Sequence, residues 1–158
     1  MRGPFHKILV PTDFSEPSNA ALELAIDLAQ RFDAELELFH AQELPAYIFP
    51  DGVVPISPGI IADLDRATRA ELDRLAARVQ NAGVRVSTSH SIGAHHTEIL
   101  RRAEEIGADL IAMGTHGRTG IKHALLGSVA ERVVRRAPCP VLTVRPQAHH
   151  VHEAPAAH

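Results

Sequence analysis

Short apolar runs alternate along the chain with longer segments whose apolar residues recur every three to four positions. The short runs, such as KILV at residues 7–10 and DLIAM at residues 109–113, have the length and composition of buried strands. The longer segments have the spacing of one helix face, as Leu22, Ile26 and Ala29 illustrate. The pattern predicts five strands, at residues 7–10, 36–39, 84–92, 109–113 and 140–144.

Local start and stop signals mark the ends of the predicted helices. Ser15 and Ser57 each precede a proline closely and are predicted to cap the first and second helices, and Ser128 is predicted to cap the last one. Gly107 is expected to end the third helix. Between the second strand and the second helix, residues 42–59 contain four prolines and two glycines, so an irregular connection is predicted there.

The alternation of strands with helices predicts an α/β fold, in which five parallel strands form an open sheet with helices on both faces. The ligand site of such a sheet lies outside the carboxyl ends of the strands, where the strand order reverses. A length of 158 residues suits one domain. We therefore predict a single domain over residues 1–146 and a disordered His- and Ala-rich tail over residues 147–158.

Charge and cysteine content limit the function classes. The formal net charge of −3 disfavours a protein whose main task is to coat nucleic acid. Cys139 is the one cysteine, so no intrachain disulfide can form and a reducing compartment is indicated. The sequence shows no secretory signal and no apolar stretch of the ~20 residues that a membrane span needs. We expect a soluble, cytoplasmic protein with neither nucleic acid nor membrane as a partner.

A glycine pattern follows the fourth predicted strand. Gly114, Gly117, Gly127 and Ser128 form the pattern G-x2-G-x9-G-S, which ends where a helix is predicted to begin. Backbone amides at a helix N-terminus attract phosphate, glycine lets a ligand approach the main chain, and Ser128 adds a hydroxyl donor. Alternatively, these glycines only allow a tight turn. The chain contains neither Gly-Lys-Ser/Thr nor G-x-G-x-x-G, so a phosphate site would be of a different type.

Three segments together resemble the universal stress protein family in its nucleotide-binding branch. They are ILVPTDFSE at residues 8–16, DLIAMGTHGRTG at residues 109–120 and LLGSVAERVVRRAPCPVLTVRP at residues 125–146. The resemblance extends from about residue 7 to residue 145 and implies a Rossmann-like sheet with strand order 3-2-1-4-5. It also implies ATP as the ligand, since the complete glycine pattern marks family members that bind ATP, and a homodimer formed through the last strand.

The same resemblance implies which residues contact the nucleotide. Ala41 would offer backbone groups to the adenine, and Asp13 would approach the phosphates through Mg²⁺ or water. The rest of the adenosine side would consist of Pro11, Thr12, Met113 and Gly114. The phosphates would be surrounded by His116, Gly117, Gly127, Ser128 and Val129. Some family members have a second hydroxyl two residues after the position of Ser128, and Ala130 removes that contact here.

The residues themselves favour the same arrangement. Asp13 follows the first strand and the glycine pattern follows the fourth, so their loops meet at the switch point if the two strands are neighbours. Asp13 can ligate Mg²⁺ as a hard oxygen donor, or it can simply cap the first helix region. The segment from Gly114 to Gly127, called the glycine loop below, contains three further basic residues, Arg118, Lys122 and His123. They can neutralise terminal phosphates, or they can belong to an ordinary solvated loop.

Several histidines and Cys139 are further candidates for metal binding or reactivity, but each has a simpler structural explanation. His95 and His96 are adjacent, with His90 nearby, and more histidines lie in the tail. Adjacent histidines do not supply the about four fixed ligands of a structural metal site, so incidental metal affinity is expected instead. Cys139, between two prolines, is expected to be a packed or partly buried thiol.

Three functions remain open at this point. The favoured one is an ATP-binding sensor or regulator in the stress response, whose occupancy orders residues 42–59 or the glycine loop and alters contacts with a regulatory partner. The second is a slow ATPase or phosphotransfer protein, and the third is a dimeric scaffold without a nucleotide. With Asp13 holding a metal ion, His116 is a weak candidate for a water-activating base, so we expect weak ATP hydrolysis at most and assign no catalytic residue.

Overall fold

The computed structural model describes residues 3–44, 47–117 and 126–146. Strands and helices are numbered separately, each in the order in which they occur along the chain. The strands are β1 Lys7–Pro11, β2 Glu35–Gln42, β3 Tyr47–Phe49, β4 Gly52–Val54, β5 Val86–Ile92, β6 Leu110–Gly114 and β7 Val141–Val144. The helices are α1 Glu16–Phe32, α2 Pro58–Asn81, α3 His95–Ile106 and α4 Ser128–Arg136.

Five of these strands form a single parallel sheet in the order β5-β2-β1-β6-β7. Counted along the chain without β3 and β4, this is the order 3-2-1-4-5, so the predicted fold and strand order are confirmed. Because β1 and β6 are neighbours while the chain winds outward on either side of them, the strand order reverses between these two strands. The strand ends Pro11 and Gly114 therefore lie beside the switch point.

Apolar side chains cover both faces of the sheet, as expected for parallel strands. Ile8 and Val10 of β1 face a core that includes residues of α1 and α2, whereas Leu9 between them faces a core that includes residues of α3 and α4. This alternation follows the two-residue period of a strand. The largest buried side chain of the second core is Phe39 of β2.

Most helix ends follow the predicted signals. Ser15 and Ser57 cap α1 and α2 through their side-chain oxygens, and Gly107 ends α3 in the left-handed conformation with φ of 61°. The predicted cap at Ser128 is wrong, because Gly127 is the N-cap of α4 and Ser128 is the first helical residue. The carbonyl of Gly127 already accepts the first helical hydrogen bond, from the amide of Glu131 at 2.9 Å.

The connection between β2 and α2 is more ordered than predicted. Within residues 42–59 the structure contains the antiparallel hairpin of β3 and β4, with Tyr47 opposite Val54 and Phe49 opposite Gly52. The third and fifth strands of the sheet also begin one to two residues later than predicted, at Val86 and Val141. The predicted tail at residues 147–158 lies outside the described residues. No helix in the described ranges is both long and apolar enough to cross a membrane.

Candidate functional site

A cavity of about 720 Å³ lies at the carboxyl ends of β1, β2 and β6. This volume falls within the ~300–1,000 Å³ range of small-molecule sites, and the position is that of a ligand in an open α/β sheet. The cavity is lined by all eleven residues that the sequence indicated, namely Pro11, Thr12, Asp13, Ala41, Met113, Gly114, His116, Gly117, Gly127, Ser128 and Val129. The fold thus brings together segments separated by more than 100 residues in the chain.

The loop after β1 holds the Asp13 carboxylate in place through short-range hydrogen bonds. Asp13 Oδ1 accepts from the Ser15 amide at 3.0 Å and also from the Ser15 hydroxyl. The Thr12 hydroxyl accepts from the Phe14 amide at 3.0 Å, and Phe14 itself has a positive φ of 64°. Since side chains disfavour this left-handed backbone, the loop is a constrained turn that fixes Asp13 at the cavity.

Each glycine of the pattern lies against a neighbouring segment that leaves little room for a side chain. A Cβ on Gly114 would lie 2.8 Å from the carbonyl carbon of Pro17, and a Cβ on Gly117 would lie 2.7 Å from Asp13 Oδ2. A Cβ on Gly127 would lie 3.2 Å from the carbonyl oxygen of Thr115. Close packing is therefore one reason for these glycines, and it also brings Gly117 next to Asp13 at the cavity.

The first amides of α4 point to an anion site at the same edge of the cavity. The N-cap Gly127 has no side-chain oxygen to accept from them, and the described residues provide no side-chain cap. Uncapped amides at a helix N-terminus favour an anion. Nearby, Nε2 of His116 is buried without a hydrogen-bond partner among the described residues, while Nδ1 lies 3.1 Å from the Thr115 hydroxyl.

Two histidines make contacts at the end of β2 that sequence reasoning missed. Nδ1 of His95 lies 2.9 Å from the carbonyl oxygen of Ala41, and its Nε2 lies 3.5 Å from Glu43 Oε2. The buried His40 places Nδ1 2.8 Å from the Thr12 carbonyl oxygen. Because such contacts join residues 28 to 54 positions apart, no local sequence pattern indicates them. A wall from α2 was missed for the same reason, and it consists of Leu64, Ala67, Thr68 and Glu71.

The titratable side chains that line the described part of the cavity are three carboxylates and three imidazoles. The carboxylates belong to Asp13, Glu43 and Glu71, and the imidazoles to His40, His95 and His116. No lysine or arginine is found in this described lining. Arg118, Lys122 and His123, which the sequence suggested as a phosphate clamp, lie outside the described residues.

The other histidine and cysteine candidates have separate surroundings. Nε2 of His90 contacts Asp65, and Arg69 together with His90 lowers the pKa of that carboxyl. Within the described ranges, no three metal-ligating side chains form a cluster. Cys139 is partly buried, and this burial, with a smaller effect of Asp109, raises the pKa of its thiol.

A parallel five-stranded sheet with helices on both faces and a ligand-sized cavity at its switch point defines a Rossmann-like α/β domain. Residues 4–145 match the profile described as the universal stress protein family, and the chain belongs to this family. It is 37% identical over 143 residues to a universal stress protein of Methanocaldococcus jannaschii, and this alignment covers 89% of this chain and 82% of that protein.

Solved structures of the family agree with this fold. The universal stress protein UspA of Lactobacillus plantarum matches with a TM-score of 0.76 and 29% identity, over 92% of this chain and 99% of that chain. A universal stress protein whose crystal structure is a complex with cAMP matches with a TM-score of 0.66 and 27% identity, over 89% of this chain and 97% of that chain. At least one structural neighbour therefore binds an adenine nucleotide.

Proposed function

We propose that this chain binds ATP in the cavity and acts as a nucleotide-dependent sensor or regulator in the stress response. The observation that carries the proposal is that the β1 loop with Asp13 and the glycine pattern with Gly117 line the same cavity at the switch point. The cAMP complex of a related protein supports an adenine nucleotide as the ligand class.

The proposed nucleotide lies across the ends of three neighbouring strands. Its base lies beside Ala41 at the end of β2, and its ribose lies beside Met113 and Gly114 at the end of β6. Since β2 and β6 are two strand spacings apart, these ends are separated by about 10 Å, the length scale of a nucleoside. The phosphates then lie at the N-terminus of α4, where Ser128 and Val129 provide amides.

Asp13 is the residue that would hold Mg²⁺ beside the phosphates. Mg²⁺ in nucleotide sites commonly uses one or two carboxylates together with phosphate oxygens and water. One carboxylate fixed by Ser15 next to Gly117 fits that requirement. When bound, the ion supplies positive charge to a lining whose described residues include no lysine or arginine. The buried, unpartnered Nε2 of His116 is a nitrogen that a phosphate oxygen or a bridging water can satisfy.

A slow ATPase is the second candidate, and His116 is the observation that favours it. Its Nε2 is a buried group at the proposed phosphate end, and an imidazole at this position can accept a proton from an attacking water. Incubation with ATP for several hours distinguishes the candidates. A binding module leaves the ATP intact, whereas an ATPase releases ADP or AMP at a rate that His116→Ala lowers.

We also propose that the chain is cytoplasmic and that it forms a homodimer through β7. β7 forms one edge of the described sheet, and its four residues are all partly exposed. An exposed apolar edge strand is a pairing surface, and a symmetric dimer would cover it. The mass in solution, measured by light scattering, should be twice the 17.1 kDa of one chain. A mass of one chain at micromolar concentration would contradict this assembly.

Mass spectrometry of the small molecules released by denaturing the purified protein tests the ligand assignment. We expect an adenine nucleotide, and Mg-ATP should raise the melting temperature of nucleotide-free protein by mass action. Absence of any released nucleotide together with no shift at millimolar Mg-ATP would contradict the proposal and leave the dimeric scaffold.

A further inference from the structure

The β5–α3 turn holds the N-terminus of α3 beside the end of β2. The amide of Gly93 donates to the carbonyl of Gln42 at 3.0 Å, and α3 begins two residues later at His95. His95 is therefore placed beside the end of β2, where it lines the cavity.

The contacts of His95 define its hydrogen-bonding character. The Ala41 carbonyl can only accept, so Nδ1 of His95, at 2.9 Å from it, carries the hydrogen. In the neutral ring, Nε2 is then an acceptor, and it lies 3.5 Å from Glu43 Oε2, which is also an acceptor. Both side chains line the cavity. With the ring neutral, this end of the cavity presents two acceptors and no donor between them.

The first amides of α3 have no side-chain cap, as at α4, but the carboxylate of Glu43 would repel a phosphate, so this end suits a donor group better than an anion. Glu43 keeps an acceptor oxygen in either protonation state of His95. An amino group on the ligand would satisfy Glu43, and in the neutral ring it would also satisfy His95.

We infer that His95 and Glu43 are specificity-determining residues that recognise the exocyclic amino group of an adenine base beside Ala41. The inference rests on the proposed function, since it requires the base of the nucleotide to lie at the end of β2. A site built to accept from a ligand amino group discriminates against analogues that lack this group. The chain therefore selects adenine through the side chains of Glu43, which follows β2, and of His95 in α3, as well as through backbone groups.

Comparison of ATP with purine riboside 5′-triphosphate, which lacks only the 6-amino group, tests this inference. Calorimetric titration should give the unaltered protein about tenfold tighter binding of ATP, the effect of one hydrogen bond to a charged acceptor. Glu43→Ala and His95→Ala should each reduce this preference to about twofold while leaving the affinity for the analogue nearly unchanged. His96→Ala is the matched control, because His96 is adjacent on α3 but does not line the cavity, and it should keep the tenfold preference.

The possible results separate the inference from the proposed function. An unaltered protein that binds both triphosphates equally, or a preference that survives both Glu43→Ala and His95→Ala, would overturn the role of these residues while leaving nucleotide binding intact. An unaltered protein that binds neither triphosphate would contradict the proposed function itself. Glu43→Ala should fold like the unaltered protein, because the Glu43 side chain is 60% exposed and contributes little to packing.

Discussion

Gly117 lies so close to Asp13 that a single methyl group should displace the carboxylate. A Cβ added to Gly117 would be 2.7 Å from Asp13 Oδ2. Because non-bonded heavy atoms prefer separations of about 3.5–4.0 Å, the carboxylate must move by roughly 0.8 Å or more in Gly117→Ala. Such a movement disturbs the hydrogen bond from the Ser15 amide and any metal ion that Asp13 holds.

The expected effect on binding follows from the loss of one charged interaction. A hydrogen bond to a charged group contributes about 1.5–3 kcal/mol, so Gly117→Ala should weaken Mg-ATP binding by at least about tenfold. Isothermal titration calorimetry measures this change. Gly59→Ala is the matched control, since a Cβ there meets only Ser57 Oγ at 3.7 Å, and its affinity for Mg-ATP should equal that of the unaltered protein.

A double-mutant cycle decides whether the effect operates through Asp13. Asp13→Ala removes the carboxylate that the new methyl group would strike, so Gly117→Ala should cost little further affinity in that background. The two losses should therefore be strongly non-additive, as expected for residues in direct contact. Equal losses of affinity from Gly117→Ala in the presence and in the absence of the Asp13 carboxylate would show that the added methyl group does not act through Asp13.

Further predictions concern stability and reactivity. Arg102→Met should lower the free energy of unfolding in urea by about 3 kcal/mol, because the buried Glu37 carboxylate loses its ion-pair partner and keeps only the hydroxyl of Ser89 as a described side-chain donor; a loss below about 1 kcal/mol would contradict this. Cys139 should react with iodoacetamide at pH 8 more slowly in the folded than in the unfolded chain, since burial raises the pKa of its thiol, and equal rates would count against this. Arg101, with Ser91 as a smaller cause, holds the pKa of Glu98 below its ordinary 4.5. The ionised Glu98 therefore stabilises the folded state, and this contribution should be lost as pH falls from about 4.5 through the lowered pKa. Urea midpoints between pH 7 and pH 3 should accordingly fall less steeply in Glu98→Gln, and identical profiles would exclude this contribution.

The regular parts of the fold were predictable because their determinants are local. The apolar runs at β1 and β6, the capping serines before α1 and α2 and the glycine after α3 each act within a few residues. The hairpin of β3 and β4 was missed, because its two strands have three residues each, too short for alternation to stand out among prolines. Ser128 was misplaced as a cap by one residue, since a glycine can occupy the same position.

The candidate site was predictable where a pattern or a family resemblance indicated it, and otherwise not. The glycine pattern and Asp13 carry recognisable spacing, and they lie together at the cavity. His95 was interpreted only as one of two adjacent histidines, because its contact with Ala41 joins positions 54 residues apart. The buried Glu37 is likewise an ordinary polar position in the sequence of β2, and its partners Arg102 and Ser89 come from α3 and β5, which are distant in the chain.

Amide chemical shifts of the isotopically labelled protein during titration with Mg-ATP would locate the nucleotide on the chain. We expect saturable changes with one nucleotide per chain, centred on the amides of Asp13, Gly117 and Val129 at the cavity. The amides of Gly59 and Gly83, which lie away from it, should not change. Saturable changes centred elsewhere, or no saturable change at millimolar Mg-ATP, would contradict nucleotide binding at this site.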